Sequence, residues 1–234
     1  MIYVYCGRAS KSAVRLTTYL KENGPGAKKT TEFTMEPGDL AINWGVPLGF
    51  SVRGLWLNAR FVGDKRLDLA KMRHAGLPVP QVSTRASAGF FGRASMHHDG
   101  NDLDEGGYDY YVEKVATIGE CRVNSFKGVS IGAGLKVPRR NFPGEIDPVF
   151  RTYKRGWDFS YTDDARRQIP DGARSLAHKA VKAVGLDFGA VDIGFTPGGG
   201  LVVFEVNSAP GIEGWEVEAY GDAILEYLQT ATNR

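Results

Sequence analysis

Two strand-like segments near the end of the chain, joined by a strong turn, constrain the fold more than any other feature. Residues 190–195 and 201–207 are rich in Val, Ile, Leu and Phe, as β-strands are. Between them lies the sequence Thr-Pro-Gly-Gly-Gly (196–200), which is typical of a tight turn. A hairpin centred on this turn would place Asp192 directly opposite Glu205.

The predicted hairpin carries two carboxylates and an amide. Strand alternation gives one face to Val203, Glu205 and Asn207 and the other face to Val202, Phe204 and Val206. Carboxylates that face each other across a ladder repel, so Asp192 and Glu205 favour a cation between them. Carboxylate and amide oxygens are ligands that suit Mg²⁺. The sequence alone equally allows solvated side chains and a simple turn at 207–211.

The composition is that of an ordinary globular protein. The 234 residues are 42% hydrophobic and 24% charged, and the net charge of +2 argues against a histone-like or acidic-tail protein. No apolar run is long enough to span a membrane, and the N-terminus lacks the features of a signal peptide. The two cysteines, Cys6 and Cys121, predict reduced thiols in a cytoplasmic protein and not a disulfide framework.

Hydrophobic periodicity predicts an α+β chain with antiparallel sheets, because the crossover helices of a doubly wound parallel sheet are missing. The predicted helices cover residues 10–22, 64–75, 171–184 and 218–228. Besides the hairpin, the predicted strands cover residues 2–6, 39–45, 55–58, 81–84, 108–115, 120–127 and 129–137. On the second helix the apolar positions are Leu67, Leu69, Ala70 and Met72. We expect a flexible loop at 85–93, a surface loop at 97–107 and no regular pattern over 138–160.

Motifs for other chemistry are rejected from their context. Residues 24–30 imitate a phosphate-binding loop, but they lack the glycine before Lys-Thr and follow a helix. Ser130 lies in a Gly-x-Ser-x-Gly pattern, but its β-branched neighbours predict a continuing strand instead of the strand–turn–helix of a nucleophile elbow. None of the four histidines has the spacing of a helical metal pair. A nucleotide site in this chain must therefore be built in another way.

A series of motifs follows one order from about residue 58 to the end of the chain. The motifs are Asp64-Lys65, Gly76-Leu77-Pro78-Val79-Pro80, Arg85 with a Gly/Ser loop, Tyr111-Val112-Glu113-Lys114-Val115, Glu120-Cys121-Arg122-Val123, Asp192 and Glu205-Val206-Asn207-Ser208-Ala209-Pro210-Gly211. In this order the sequence resembles the ATP-grasp superfamily. It is most similar to carboxylate–amine ligases akin to the ribosomal-protein glutamate ligase and its phage-encoded relatives.

The resemblance implies an ATP-grasp fold of three lobes, two of which enclose ATP between antiparallel sheets. The lobes would be a small N-terminal α/β lobe (1–62), a small ATP-grasp lobe with the phosphate lid (63–112) and a large ATP-grasp lobe with the metal site (113–234). Two departures from the family concern the lid. Arg85 stands where the family usually has lysine, and Phe90 and Phe91 lie in a lid, residues 86–93, that is usually richer in glycine.

The site residues that the resemblance implies fall into three groups. The nucleotide-binding group is Lys65 and Arg85 for the phosphates and Glu113, Lys114 and Val115 for the adenine hinge. The catalytic group is Arg122, facing the γ-phosphate and the tetrahedral intermediate, with Lys136 assisting it. The metal group is Asp192, Glu205 and Asn207, which would hold one or two Mg²⁺ ions, with Mn²⁺ as a substitute.

The activity implied by the resemblance is an ATP-dependent ligation of a carboxylate to an amine through an acyl phosphate. The substrates would be amino acids or peptides. An ATP-dependent phosphotransferase on the same fold is the alternative enzyme. A nucleotide-binding module without turnover is less favoured, because the metal group is complete.

A basic and aromatic stretch follows the predicted catalytic strands. Its members are Lys136, Arg139, Arg140, Phe142, Phe150, Arg151, Tyr153, Lys154, Arg155 and Trp157. It would suit an anionic substrate in the cleft, but a basic surface loop is an equal alternative. Nucleic acid, bound by stacking aromatics and arginine, is a further alternative that we do not expect. The sequence names neither the substrates nor the oligomeric state.

Overall fold

Three β-sheets and five α-helices make up the described part of the chain in a computed structural model, namely residues 1–7, 9–32, 35–48, 52–61, 63–95 and 107–232. The helices are α1 (Lys11–Asn23), α2 (Lys65–His74), α3 (Asp163–Arg167), α4 (Gly172–Ala183) and α5 (Trp215–Thr232), with a 3-10 helix at Tyr153–Arg155. The strands are β1 (Ile2–Tyr5), β2 (Ala27–Thr30), β3 (Leu40–Asn43), β4 (Leu55–Leu57), β5 (Val82–Ser83), β6 (Phe90–Arg93), β7 (Tyr110–Glu113), β8 (Gly119–Phe126), β9 (Val129–Pro138), β10 (Trp157–Ser160), β11 (Phe188–Phe195) and β12 (Leu201–Asn207). The predicted surface loop at 97–107 lies outside the described residues except for residue 107.

The first sheet is parallel, in the order β2-β1-β3-β4, and confirms the predicted α/β opening. Helix α1 begins where the Ser10 side chain accepts a hydrogen bond from the Ala13 N–H, and its inner face buries Leu16 and Leu20. Strand β2 was not predicted, because its sequence Ala-Lys-Lys-Thr lacks apolar alternation. Lysines at the edge of a sheet also oppose pairing with another chain.

The second sheet is antiparallel, in the order β5-β7-β6, and α2 precedes it. The Asp64 carboxylate caps α2, and Gly76 ends it in the left-handed region at φ +74°. The inner face of α2 buries Asp68, Leu69 and Met72. Leu67 and Ala70, predicted as apolar positions, are exposed, because the helix turns the 68/69/72 side inward.

The predicted flexible loop at 85–93 is wrong in its second half. Residues Phe90 to Arg93 form β6 and pair with β7, so that Phe91 lies opposite Val112. Residues 86–89 are exposed and form a turn in which the Phe90 N–H donates to the Ser87 carbonyl. Bulky β-forming residues at 90 and 91 thus extend the sheet and leave only a short turn before it.

The third sheet is antiparallel, in the order β10-β9-β8-β11-β12. It contains the predicted hairpins, and Asp192 pairs with Glu205 as expected. A bulge follows this pair, because Ile193 pairs with Val203 and leaves Phe204 as the extra residue. Strand β10 and helix α3 were not predicted, since residues 138–160 show no apolar period and α3 is a single turn.

Two hydrophobic cores hold the sheets together. One core joins α2 and the second sheet to α4 and the third sheet. The other joins the first sheet and α1 to α5, with Leu16 and Leu20 in the same cluster as Tyr220 and Ile224. Helix α5 is longer than predicted and packs on α1, so the end of the chain stabilises its beginning.

Two predictions from composition can be compared with the structure. Cys6 and Cys121 are both buried and lie in different hydrophobic cores, so they do not pair with each other. Among the described residues, no helix combines the length and the apolar character needed to cross a bilayer.

Candidate active site

A cleft of about 650 Å³ lies between the second and third sheets, and α2 and the segment after β12 also line it. Nine of the ten predicted site residues line this cleft: Lys65, Glu113, Lys114, Val115, Arg122, Lys136, Asp192, Glu205 and Asn207. The exception is Arg85, which is exposed and lies outside the cleft. Residues more than a hundred positions apart in the chain therefore meet in one site.

The register of the third sheet places Arg122, Asp192 and Glu205 side by side on β8, β11 and β12. Arg122 holds Asp192 with two hydrogen bonds, Nε to Oδ1 at 2.7 Å and an NH2 group to Oδ2 at 2.9 Å. Burial opposes the charge on Arg122, but the attraction of Asp192 outweighs it and raises the pKa of the guanidinium. Arg122 is therefore a fixed cation at the centre of the cleft.

Lys65 places a second cation beside the acidic pair. Its Nζ lies 2.8 Å from the Val206 carbonyl, 3.1 Å from Asn207 Oδ1 and 3.8 Å from Glu205 Oε2. The Asn207 amide in turn donates to Glu205 Oε1 at 2.7 Å. The predicted need for positive charge near two facing carboxylates is met here by Lys65 and Arg122.

The bulge in β12 changes the predicted faces of that strand. Glu205 and Asn207 point toward the cleft as expected, but Val203 lies in the core with Val206. Phe204 lines the cleft instead of pointing to the opposite face. One extra residue reverses the alternation before it, which no feature of the sequence indicated.

Glu120 was quoted in a motif but was not assigned a role. It is buried, its Oε2 accepts a hydrogen bond from Lys136 Nζ at 3.0 Å, and its Oε1 lies 3.6 Å from Arg151. Burial raises the pKa of Glu120 more than Lys136 and Arg151 lower it. The register that pairs β8 with β9 places Glu120 and Lys136 together, and this partnership follows from the hairpin at Gly128.

Two glycines in β9 make room for aromatic rings beside Arg122. A Cβ on Gly134 would lie 2.3 Å from the Tyr161 ring, and one on Gly132 would lie 2.2 Å from the Trp215 ring. The Tyr161 hydroxyl donates to the buried carboxylate of Glu216 at 2.8 Å. These contacts connect the cleft face of β9 to the first turn of α5.

Asp68 is a cleft residue that the sequence did not indicate. Its side chain is 8% exposed, and the nearest cation among its ion pairs is Lys71 at 4.0 Å. Burial raises the pKa of Asp68 to about 6, although Lys65 and Lys71 oppose the shift and Glu205 adds to it. In the sequence, the one signal for a buried role of Asp68 was its place among the apolar positions of the predicted helix.

On the side of the second sheet, Arg93 and residues 113–115, the predicted adenine hinge, line the cleft. Glu113 Oε2 accepts a hydrogen bond from the Gln81 N–H, and the Lys114 N–H donates to the Gly89 carbonyl at 2.7 Å. Arg93, at the end of β6, lines the cleft, whereas Arg85, which precedes β6, does not. The Phe91 ring packs edge to face against Phe150, which precedes β10, with the ring centroids 4.9 Å apart.

The basic and aromatic stretch divides between two places. The members that line the cleft are Lys136, Phe150, Arg151, Tyr153, Lys154 and Trp157. Arg139 and Arg140 instead line a separate surface groove with Asp158, and Arg155 is paired with Asp147 at 2.8 Å. The prediction of a basic substrate cleft therefore applies to only part of this stretch.

The oxygen-bearing side chains at the end of the cleft could hold a hard metal ion. Within the described ranges, no group of three or more His, Cys, Asp or Glu side chains is arranged for a metal, and the predicted set has only two carboxylates and an amide. Asp192, Glu205 and Asn207 are nevertheless adjacent, and in this structure they all contact cationic side chains. Carboxylate and amide oxygens of this kind suit Mg²⁺, which completes its shell with water and phosphate.

Two curated relatives share part of the sequence. The chain is 33% identical over 125 aligned residues to a D-alanine–D-alanine ligase of Paenarthrobacter aurescens, covering 44% of this chain and 33% of the relative. The same identity and length relate it to the D-alanine–D-alanine ligase of Pseudarthrobacter chlorophenolicus, of which 32% is covered. The chain thus spans about a third of the length of the curated relatives it matches. No protein-family model matches the chain.

Solved structures share the whole architecture at low sequence identity. The ATP-grasp ligase PsnB in complex with a minimal precursor, Mg and ADP is 14% identical, covers 100% of this chain and 98% of its own, and has a TM-score of 0.65. The D-cycloserine synthetase DcsG has a TM-score of 0.62 at 15% identity, over 97% of this chain and 99% of its own. The macrocyclase MdnC of Microcystis aeruginosa, bound to precursor peptide MdnA, has a TM-score of 0.61 at 14% identity, over 98% and 99% of the two chains. The protein therefore has the ATP-grasp fold, an α+β architecture.

Proposed function

We propose that this protein is an ATP-dependent ligase that joins a carboxylate to an amine through an acyl phosphate. The observation that carries the proposal is the convergence of Asp192, Glu205 and Asn207 with Arg122 and Lys65 in the cleft of an ATP-grasp fold. Oxygen ligands and fixed cations of this kind can position a phosphoryl group during its transfer and stabilise the negative charge on it. The partial identity to D-alanine–D-alanine ligases supports the same class of reaction.

The proposed nucleotide site runs from the hinge to the metal end of the cleft. Glu113, Lys114 and Val115 would hold the adenine, and Lys65 would reach the phosphates. The role predicted for Arg85 requires residues 85–89 to move toward the cleft. Arg93 already lines the cleft, so we propose it as the nucleotide-binding cation of the small lobe.

Asp192, Glu205 and Asn207 would hold the Mg²⁺ that accompanies ATP. A bound Mg²⁺ would neutralise charge on the phosphates. The carboxylate of Asp192 has lone pairs beyond those that accept from Arg122, so it could bind both cations. PsnB and its minimal precursor were solved with Mg and ADP, which supports this pairing of partners. Use of Mn²⁺ stays a prediction.

In the proposed reaction, a substrate carboxylate oxygen attacks the γ-phosphorus of ATP and ADP leaves. The amine nitrogen then attacks the acyl carbon, the bond from carbon to the phosphate oxygen breaks, and the amine loses a proton. Arg122 and Lys136 would stabilise the negative charge that develops on the phosphoryl and tetrahedral groups, because both cations are fixed in the cleft before reaction.

Amino acids and peptides are the substrates that we propose to test. D-alanine–D-alanine ligase, D-cycloserine synthetase and the PsnB complex with its precursor are the similar proteins that suggest them. The finer resemblance to the ribosomal-protein glutamate ligase group and a cytoplasmic location stay predictions.

A matrix assay tests the proposed function. ATP and Mg²⁺ are incubated with the protein and with L-amino acids, D-amino acids and short peptides, alone and in pairs. We expect ADP, phosphate and an amide product of the summed mass less water for at least one pair. A stable product that has gained the mass of a phosphoryl group, in place of an amide, would favour the phosphotransferase instead. Absence of ADP with every pair would contradict both enzymatic functions.

A further inference from the structure

Arg151 differs from the other cations of the basic stretch, because it is fixed inside the cleft. Its guanidinium donates to the Thr117 carbonyl at 3.0 Å and to the Thr117 hydroxyl at 3.2 Å. It also lies over the Trp157 ring, 4.9 Å from the ring centroid. Only 8% of the Arg151 side chain is exposed. A long cationic side chain held this way has lost its freedom before any ligand arrives.

One donor of this fixed side chain has no acceptor. In the described part of the chain, Arg151 Nε is one of three buried side-chain polar atoms without a hydrogen-bond partner. The other two belong to Trp44 and Arg166, and neither of those residues lines the cleft. An unpaired buried donor is unfavourable. Its position in a cleft indicates that a ligand supplies the acceptor.

The charges around Arg151 indicate the sign of that ligand. Arg151 and Lys136 share a single carboxylate, Glu120, at 3.6 and 3.0 Å. Within this cluster of three side chains, one positive charge is therefore not balanced. An oxyanion would supply both the missing charge and the missing acceptor.

The position of Arg151 favours the nucleotide as the source of the oxyanion. Its anchor, Thr117, follows Val115 by two residues, and Val115 ends the proposed adenine hinge. Glu120 precedes Arg122 by two residues on β8, and Arg122 lies opposite Asp192 of β11. A nucleotide that extends from the hinge to the metal end would carry its phosphates past this cluster.

We propose that Arg151 binds a phosphate oxygen of the nucleotide through its Nε–H. This inference rests on the proposed function. A substrate carboxylate has the same chemistry as an acceptor, so the test separates the two sources.

Calorimetric titration with MgADP and with adenosine tests the proposal in wild type, Arg151→Met and Arg151→Lys. Arg151→Lys keeps the charge but removes Nε. We expect both variants to bind MgADP at least tenfold more weakly and to bind adenosine, which has no phosphate, as wild type does. Arg140→Met is the matched control, because Arg140 is exposed, lines the separate surface groove and should leave both affinities unchanged.

The outcomes separate this inference from the proposed function. A variant that still binds adenosine is folded around the cleft. If Arg151→Met loses adenosine binding, the MgADP affinity of Arg151→Lys decides the test. For the KM measurement we use the amino acid or peptide that releases most ADP in the matrix assay. If MgADP binding is unchanged and this KM rises tenfold, the oxyanion belongs to the substrate and the nucleotide assignment is overturned. If neither the MgADP affinity nor this KM changes, the inference is overturned altogether. If wild type itself fails to bind MgADP, the proposed function falls as well.

Discussion

At the scale of single residues, the proposed metal site depends on three oxygen-bearing side chains. We expect Glu205→Ala or Asn207→Ala to abolish ADP formation, because each removes a proposed metal ligand and a contact with Lys65. Circular dichroism should remain that of wild type. Glu218→Ala, at an exposed position on α5, is the control and should keep full turnover. Near-wild-type turnover in either site variant would refute the metal assignment.

Phe159 lies beside both predicted catalytic cations. Its ring centroid is 4.4 Å from the Arg122 guanidinium carbon and 5.3 Å from Lys136 Nζ. A desolvated cation–π contact contributes about 1–2 kcal/mol, so the ring helps to position both charges. We expect the rate of ADP release to fall stepwise when Phe159 is replaced by increasingly fluorinated phenylalanines. Because fluorination weakens the ring face with little change of shape, a rate independent of fluorine number would mean that Phe159 only fills space.

Asp68 gives stability an unusual pH dependence. Its pKa in the folded protein is about 6, above the ordinary 3.8, so the unfolded chain loses this proton first as pH rises. The stability associated with the protonated group is present below pH 4 and is lost as pH rises through 6. The loss amounts to about 3 kcal/mol.

Asp68→Asn should remove this dependence. In urea unfolding, we expect the free energy of unfolding of Asp68→Asn, relative to that of wild type, to increase by about 3 kcal/mol from pH 4 to pH 8. Asp163→Asn, at a position whose side chain is 85% exposed, should show no such gain. A constant difference between Asp68→Asn and wild type across this range would disprove the shifted pKa.

At the scale of elements, the glycines of β9 matter because their missing side chains leave space for neighbouring aromatic rings. A methyl group at Gly134 would collide with the Tyr161 ring, which is held by Glu216. We expect Gly134→Ala to destabilise the protein by about 1–3 kcal/mol, as overpacking does. Gly198→Ala is the control, because its Cβ would meet open space. Equal melting temperatures for the two variants would show that Tyr161 moves aside freely.

The elements that could be predicted from sequence are those with a local signal. The hairpin at 196–200 and the pairing of Asp192 with Glu205 follow from turn composition and strand alternation. The bulge at Phe204 has no such signal, and it moved Val203 to the core. Strand β6 was mistaken for a loop because a Gly/Ser segment precedes it.

Site residues that lie in ordered motifs could be predicted from the sequence, whereas residues positioned only by packing could not. Lys65, Arg122 and Asp192 occur in motifs, and the structure brings them into one cleft. Arg151 lies in a stretch without a period, and only the fold turns it toward Thr117. Arg85 shows the converse, because a motif position does not establish where a side chain lies.

At the scale of the whole molecule, three sheets are joined so that the cleft has walls from separate parts of the chain. The second sheet shares a core with the third, while α5 returns to pack on α1. Phe91 of the second sheet contacts Phe150, which precedes β10 of the third sheet, and both residues line the cleft. The width of the cleft therefore depends on how the second and third sheets are held relative to each other.

If ATP activates a carboxylate as an acyl phosphate, as we propose, an oxygen-18 label in that carboxylate must be transferred to the released phosphate. The amino acids and peptides active in the matrix assay are supplied with both carboxylate oxygens labelled, together with ATP, Mg²⁺ and the amine. Mass spectrometry of the released phosphate should then find one labelled oxygen for each amide formed, because the carboxylate oxygen stays with phosphorus. Amide formation with unlabelled phosphate, or with the label in AMP, would contradict the account.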